Sequence, residues 1–256
     1  MPPTASHPLQ QRYLSHADGT LTLPHLDYLN RRSEATGIQT GGGFPLRFEC
    51  PNQQADYEQR AFRSGVVATR PNNWHDAFNA LVWLTFPLSK RALNSAHVQA
   101  RSTPTGEGNQ RGKLRDSLTQ FDECGVIVAG TSPALWQAIC RHEWVEAFVS
   151  NRSELQATTR FIVFGHGSLD ALRAPFVGLC GKAIFLEIAA CDLVAIDADD
   201  LQTVDADLAR RVASTNWQES SCLSLQPLPL LGIPGATTDN EHADYYRDQR
   251  QFRPRR

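Results

Sequence analysis

The stretch PNNWHDAFNALVWLTFPLSK, from Pro71 to Lys90, constrains the fold of this chain more than any other part of the sequence. Pro71 and the pair Asn72–Asn73 form a helix start, since an asparagine side chain can accept hydrogen bonds from amides of the first turn. Pro87 ends the helix, because the residue before a proline avoids helical geometry. The apolar residues between them cover almost the whole helical circumference, which is typical of a helix buried in a core. We therefore predict a buried central helix at about 73–86, too short to span a bilayer.

Three polar residues, His75, Asp76 and Asn79, enter this otherwise apolar helix. On a helical wheel they lie within about 100° of one another, so they share one face. A buried polar group without a partner costs roughly 1–3 kcal/mol, so each of them needs a hydrogen-bond partner or a ligand. A histidine can be a base or a metal ligand, and an adjacent carboxylate can bind metal or orient the ring. The alternative is that Asp76 supports the helix start while the other two bond to backbone groups.

Composition places the chain among ordinary globular proteins. Its 256 residues are 41% hydrophobic and 20% charged with a formal net charge of −2, so no global field points to nucleic acid or anionic lipid. No run reaches transmembrane length, and the N-terminus lacks the basic start and apolar segment of a signal peptide. The six cysteines include no C-x-x-C pair, which favours reduced thiols over disulfides or a cysteine-rich zinc site. We therefore expect a cytoplasmic protein without membrane contact.

Hydrophobic periodicity along the rest of the chain predicts more helix than strand, with no internal repeat and no clear linker. We expect residues 1–20 to be loosely ordered and residues 21–256 to form a single α+β domain. The fold class is mainly helical, built around the buried central helix, with a small sheet of short strands. Further helices are predicted at 23–35, 56–62, 90–99, 113–123, 168–172 and 197–213, with another beginning near Ser132, and strands at 46–50, 126–129, 161–164 and 182–188. The segments 101–112 and 226–240, which contain Gly and Pro, are predicted to be loops.

The predicted helix 113–123 carries a second polar face. Arg115, Thr119 and Asp122 lie one above another at i, i+4 and i+7, which suits the binding of a charged group. The planar guanidinium of Arg115 would bind a phosphate or carboxylate, and Lys113 and Thr119, with Asn79 of the central helix, would add contacts to the substrate. Asp122 and Glu123 could hold a divalent ion or act as general base. The alternative is a solvated helix face whose Arg–carboxylate pair contributes little to stability.

His166 stands between Gly165 and Gly167, directly after the predicted strand 161–164. Flanking glycines permit close approach of the backbone to a ligand, and functional side chains often follow strand ends. A tight turn explains the same string about as well, and G-H-G-S lacks the spacing of a nucleophile elbow. Cys124 follows two acidic residues, which should raise the pKa of its thiol and make it a poor nucleophile.

Four segments together resemble a family of uncharacterised bacterial proteins, the domain-of-unknown-function 3025 family. They are RPNNWHDAFNALVWLTFPLSKRALN, RGKLRDSLTQFDECG, FGHGSLDALRAPFVGL and the tail PLPLLGIPG…FRP. The resemblance covers roughly residue 45 to the C-terminus, and the first segment is its most specific part. It implies a bacterial, cytoplasmic, single-domain protein, and it brings no activity, substrate or cofactor with it.

Two hypotheses of function follow from these residues. In the first, the chain is a hydrolase acting on a phosphate ester or other anionic substrate, with His75 as base, Arg115 as anion clamp and Glu123 as a further catalytic group. In the second, it is a non-catalytic binding protein whose polar residues form a structural hydrogen-bond network. An open cleft around the residues favours the enzyme, and a sealed cluster favours the network.

The metal and the partners of the chain are left open by the sequence. For a metal-dependent hydrolase, Asp76, Asp122 and His166 are the candidate ligands, and Mg²⁺ or Mn²⁺ is the candidate cofactor. The arginines near the C-terminus lie among Tyr245, Tyr246 and Phe252, a composition that can contact nucleic acid. A solvated terminus is the simpler interpretation, so we expect a small anionic ligand rather than nucleic acid as the partner.

Overall fold

Helices dominate the computed structural model, which describes residues 7–14, 23–51, 56–102, 108–214 and 225–255, with the backbone but not the side chains of residues 102 and 108–113. The mainly helical α+β class that the sequence predicts is confirmed. The α-helices of the described residues are α1 (Gln11–Leu14), α2 (Leu26–Thr36), α3 (Tyr57–Ser64), α4 (Trp74–Thr85), α5 (Pro87–Ser102), α6 (Gly108–Cys124), α7 (Pro133–Cys140), α8 (Arg152–Thr158), α9 (His166–Ala171), α10 (Ala190–Asp197) and α11 (Gln202–Ala213). The strands are β1 (Arg47–Glu49), β2 (Val66–Ala68), β3 (Gly125–Gly130), β4 (Thr159–Val163), β5 (Cys180–Glu187) and β6 (Gln226–Pro229). Within these ranges the structure contains no helix of the length and apolarity that crossing a bilayer requires.

The predicted central helix is α4, and most of its residues are buried in the core. Asn73 caps it, since the side-chain oxygen of Asn73 accepts a hydrogen bond from the amide of Asp76 at 2.9 Å. Phe78 and Trp83 are 0% and 1% exposed. Pro87 both ends α4 and begins α5, because a proline fits the first position of a helix, where the amide has no partner.

A buried carboxylate ties the start of α5 to α11. Asp205 accepts hydrogen bonds from the amides of Leu88 and Ser89 at 2.9 and 2.8 Å. These amides belong to the first turn of α5 and have no partner inside their own helix. The contact fixes the direction in which α5 leaves α4, and thereby the position of the next residue, Lys90.

A four-stranded sheet in the order β4–β3–β5–β6 is the larger of the two sheets in the described residues. β3 pairs antiparallel with β4 and parallel with β5, and β5 pairs antiparallel with β6. Every residue of β3 is buried, in keeping with the apolar run that predicts it. The strand follows α6 without a linker, since Gly125 comes directly after Cys124. The smaller sheet is a parallel pair of β1 and β2.

Three segments differ from the sequence prediction. Residues 108–112, predicted as loop, form the start of α6, although their two glycines have weak helix propensity. Residues 103–107 lie outside the described residues. The helix predicted at 197–213 begins only at Gln202, as α11, because the chain turns after α10 at Asp199, which has a φ of 66°. The predicted loop 226–240 contains β6, an edge strand, where prolines are tolerated because one side of the strand needs no partner.

The N-terminal segment, which the sequence predicts to be loose, contributes residues 7–14 to the packed structure. Tyr13 is 2% exposed, and its hydroxyl donates a hydrogen bond to the carbonyl of Val163 at the end of β4. Gln10 is fully buried, and its side-chain amide donates to the carbonyl of Leu169 in α9. These contacts brace the turn between β4 and α9. Residues 1–6 and 15–22 lie outside the described residues.

Two of the C-terminal aromatic residues belong to the core. Tyr246 and Phe252 are 4% and 3% exposed, and their ring centroids lie 4.8 Å apart. Nearby, Arg250 forms an ion pair with Asp248 at 2.7 Å. These two rings are therefore not available to stack on nucleic-acid bases.

Candidate functional site

A cleft of about 600 Å³ gathers the polar residues that the sequence singles out. Helix α4 contributes His75, Asp76 and Asn79, α6 contributes Arg115, Thr119, Asp122 and Glu123, and α9 contributes His166. The rest of the lining consists of Pro51, Tyr57, Glu58, Ala68, Arg70, His97 and Arg101. The side chain of Lys113, the remaining predicted substrate contact, lies outside the described residues. Helices that are distant in sequence thus meet with their polar faces around one opening.

Aromatic packing and backbone hydrogen bonds hold the turn that carries His166 against α6. Phe164 stacks on Phe121 with ring centroids 5.0 Å apart. The carbonyl of Gly125, at the junction of α6 and β3, accepts hydrogen bonds from the amides of Phe164 and Gly165 at 2.9 and 2.8 Å. As a result His166, the first residue of α9, lies beside the last turn of α6.

The glycines on either side of His166 permit a close approach to α6 itself rather than to a ligand. A β-carbon at Gly165 would overlap the backbone of Cys124 far inside van der Waals contact. A β-carbon at Gly167 would lie 2.5 Å from Oε2 of Glu123. Position 165 therefore requires glycine, and a side chain at position 167 would displace the carboxylate of Glu123 from its place beside His166.

His75, Glu123 and His166 form a group in which one donor atom of each residue lies within 4.8 Å of the others. Nε2 of His166 is 3.4 Å from Oε1 of Glu123, and Nε2 of His75 is 3.8 Å from the same oxygen. The two imidazole rings meet edge to face with centroids 4.5 Å apart. The side chains of His75 and Glu123 are 37% and 41% exposed, whereas that of His166 is 6% exposed. The group is therefore anchored on a buried histidine and open towards the cleft.

This donor group differs from the metal ligands that the sequence predicts, because Asp76 and Asp122 already hold cations of the protein. Arg70 donates Nε and Nη2 to the two carboxylate oxygens of Asp76, both at 2.8 Å. Lys90 donates to Oδ1 of Asp122 at 2.5 Å. His166, one of the three candidate ligands, belongs to the group, as does Glu123, for which the sequence also allows a metal role.

A chain of buried hydrogen bonds runs behind the donor group and joins α3, α4, α5 and α6. Besides its bond to Asp122, Lys90 donates to Oδ1 of Asn79 at 3.0 Å. The amide of Asn79 donates to the hydroxyl of Tyr57 at 2.8 Å, and the indole of Trp83 donates to the same hydroxyl at 3.2 Å. Asn79, predicted as a substrate contact, thus has both ends of its side chain engaged within the protein.

Neighbouring positive charge keeps the two acids of α6 ionised. The hydrogen bond and charge of His166 hold the pKa of Glu123 below its ordinary value, although burial opposes this. Burial would raise the pKa of Asp122, but the charges of Lys90 and His166 outweigh burial and lower the pKa overall. Both carboxyl groups are therefore anions at neutral pH.

Cys124, the next residue, is unsuited to be a nucleophile. Burial raises the pKa of its thiol, and the charge of Glu123 adds to the rise, while a hydrogen bond with Ser168 opposes it. The direction expected from the sequence is confirmed, although burial rather than the neighbouring acids is the main cause. A thiol that stays protonated at neutral pH is a poor nucleophile.

Arg115 and Thr119 occupy the exposed side of the cleft, two turns and one turn before Glu123 along α6. The guanidinium groups of Arg70 and Arg101 are paired with aspartates. Arg115, in contrast, has no carboxylate within ion-pair distance among the described residues. It is therefore the cation of the cleft that remains open to an anionic ligand.

Sequence reasoning did not assign Tyr57, Arg70, Lys90 or His97 to the site. Lys90 and His97 share one face of a predicted helix at i and i+7, and this spacing was the signal that could have placed them with the other polar residues. Tyr57 comes from a segment whose pattern has no relation to α4, so its contribution depends on tertiary packing. Arg70 lies in the loop directly before α4, and its contact with Asp76 spans only six residues.

A family model described as Protein of unknown function (DUF3025) matches residues 45–256. The chain belongs to this family. All residues that line the cleft fall inside the matched range of the DUF3025 chain, whereas residues 7–14, which brace the turn before His166, precede it. A search of the curated proteins and a search of the solved structures both find no match.

We expect Lys90→Met to lower the free energy of unfolding by about 3–5 kcal/mol, because the buried carboxylate of Asp122 loses its counter-ion. Urea unfolding of the wild type and the variant measures this difference. Lys182→Met is the matched control, since Lys182 is half-buried on β5 and has no carboxylate within ion-pair distance among the described residues. We expect the control to change the free energy by at most about 1 kcal/mol. Equal stability of the two variants would show that the buried pair does not hold the helices together.

Proposed function

We propose that this protein is a divalent-metal-dependent hydrolase that acts on a phosphate ester or another anionic substrate. The observation that carries the proposal is the group of His75, Glu123 and His166, which opens into the same cleft as Arg115, an arginine with no ion-pair partner among the described residues. We propose the bacterial cytoplasm as the location of the protein, as the family resemblance implies.

The donor types of the group suit a particular class of cation. Two imidazoles and one carboxylate are the protein ligands of many catalytic zinc sites, which keep further positions open for water and substrate. Tetrahedral ligands at about 2.1 Å from an ion lie about 3.4 Å apart, close to the separations of 3.4 and 3.8 Å between Glu123 and the two histidines. Mg²⁺ prefers oxygen ligands, so Zn²⁺ or Mn²⁺ fits this group better than Mg²⁺. A bound ion of this kind lowers the pKa of its water and supplies a nucleophile at neutral pH.

Two residues of α6, Arg115 and Thr119, suit the binding of a negatively charged substrate. Arg115 lies eight residues before Glu123, which is about 12 Å along a helix axis, a distance that a long arginine side chain and a bound phosphate can bridge together. The guanidinium would bind two oxygens of a phosphate or carboxylate, and the hydroxyl of Thr119 lies between the two positions for a further hydrogen bond. In this arrangement His75 is a metal ligand and not the base that the sequence suggests.

The non-catalytic alternative is supported by the buried polar residues behind the donor group. Asn79, Lys90 and Asp122 form a satisfied, buried network, as expected of a structural role. His75, Glu123 and Arg115 do not belong to that network, and they face an open cleft. Under the alternative the cleft binds a small anion without turning it over.

A thermal unfolding experiment tests whether the donor group binds metal. We expect Zn²⁺ or Mn²⁺, added to chelator-stripped protein at about 100 times its Kd, to raise the unfolding midpoint by roughly 5–10 °C. His75→Gln and His166→Gln should lose this shift, because each removes one of three ligands. His242→Gln, at an exposed histidine outside the cleft, is the control and should keep it. The metal site is refuted if no ion raises the midpoint, or if the shift survives in His166→Gln.

Hydrolysis of chromogenic phosphate mono- and diesters by the metal-loaded protein tests the reaction. We expect Arg115→Ala to raise KM at least about tenfold, since a charge-assisted hydrogen bond to an anion contributes about 1.5–3 kcal/mol. Arg63→Ala removes an exposed arginine outside the cleft and should leave KM unchanged. A metal-loaded wild type that binds phosphate in the cleft but hydrolyses no anionic ester would favour the binding protein.

A further inference from the structure

His166 contains an unsatisfied polar atom at the centre of the site. Its Nδ1 is buried and has no hydrogen-bond partner among the described residues, although unpartnered buried polar atoms are rare in folded proteins. The nearest carboxylate oxygen on that side is Oδ2 of Asp122 at 3.9 Å. The other ring nitrogen, Nε2, faces Glu123 at 3.4 Å. The imidazole is therefore placed between two carboxylates, one on each side of the ring.

Asp122 is held in a fixed orientation towards this ring. Its Oδ1 accepts the hydrogen bond from Lys90, which is itself held by Asn79, and the side chains of Lys90 and Asp122 are 3% and 11% exposed. Oδ2 faces Nδ1 at 3.9 Å, just beyond hydrogen-bond distance. An ionised carboxylate can only accept a hydrogen bond, so a bond between these two atoms requires the proton on Nδ1.

We propose that Asp122 is a positioning residue that fixes the proton of His166 on Nδ1 and thereby keeps Nε2 free to bind the cation. This inference rests on the proposed metal-dependent function. A histidine that ligates metal generally donates its other N–H to a carboxylate or carbonyl, which sets the tautomer and the direction of the ring. The gap of 3.9 Å closes to a hydrogen bond when the ring moves by about 1 Å towards Asp122. Lys90 and Asn79 then act on the metal through Asp122 without touching it.

The variant that tests this role is Asp122→Asn. An asparagine amide can donate to Nδ1, and this would place the histidine proton on Nε2, where it blocks the cation. We expect the Kd for Zn²⁺ or Mn²⁺, measured by calorimetric titration of the metal-free protein, to rise about 10–100-fold. Asp116→Asn makes the same change at an exposed aspartate of α6 outside the cleft, and its Kd should remain within twofold of the wild type.

A second measurement reads the tautomer of His166 in the wild-type protein, so it does not depend on the stability of Asp122→Asn. In the zinc-loaded protein with ¹⁵N-labelled histidine, two-bond ¹H–¹⁵N correlation spectra report which nitrogen of each imidazole carries hydrogen. We expect the His166 ring, assigned by its loss in His166→Gln, to be protonated on Nδ1. The opposite tautomer, or an unchanged Kd in Asp122→Asn, overturns the role of Asp122 and leaves the metal site standing. A wild type that binds no cation overturns both the metal site and this role.

Discussion

The ion pair between Lys90 and Asp122 is the interaction on which the site depends. Both side chains are almost fully buried, and a charge in such a place needs a partner and further hydrogen bonds. Asn79 of α4 provides one of these bonds, and His166 lies on the other side of Asp122. Because the pair joins α5 to α6 and contacts α4 and α9, the requirement to satisfy two buried charges fixes how four helices meet. The position of Glu123 beside the buried His166 follows from the way these helices meet.

The polar residues of the cleft fall into two layers with different physical roles. The inner layer, Asn79, Lys90 and Asp122, has its hydrogen bonds satisfied within the protein. The outer layer, His75 and Glu123 with Arg115, faces solvent and keeps lone pairs and N–H groups available. The structural network that one hypothesis expects of all these residues is thus observed in the inner layer, and the proposed hydrolase concerns the outer layer. The satisfied inner layer also limits the movement of the outer layer. Limited movement of this kind is required for fixed ligand geometry in a metal site.

The sequence predicted the parts of this structure that local patterns determine. Helix α4 followed from an apolar circumference between an asparagine cap and a proline, and its polar residues were noticed because burial makes them costly. The division of roles among the polar residues of the cleft could not be predicted, since it depends on which cation reaches each carboxylate: Arg70, from the loop before α4, reaches Asp76, and Lys90 of α5 reaches Asp122. His75, Glu123 and His166 were each singled out from the sequence, but their grouping was not predicted, because Glu123 and His166 meet only through the turn at Gly165. The turn between α10 and α11 and the edge strand β6 were not predicted, because local composition and tertiary context disagree in both places.

Anomalous X-ray diffraction from crystals grown with Zn²⁺ or Mn²⁺ tests the donor group most directly. The geometry predicts one strong anomalous peak in the cleft, about 2.0–2.3 Å from Nε2 of His75, a carboxylate oxygen of Glu123 and Nε2 of His166. The same map should show Nδ1 of His166 within hydrogen-bond distance of Asp122. An anomalous peak elsewhere, or a cleft without one in crystals that contain the ion, would contradict the metal site and with it the proposed hydrolase.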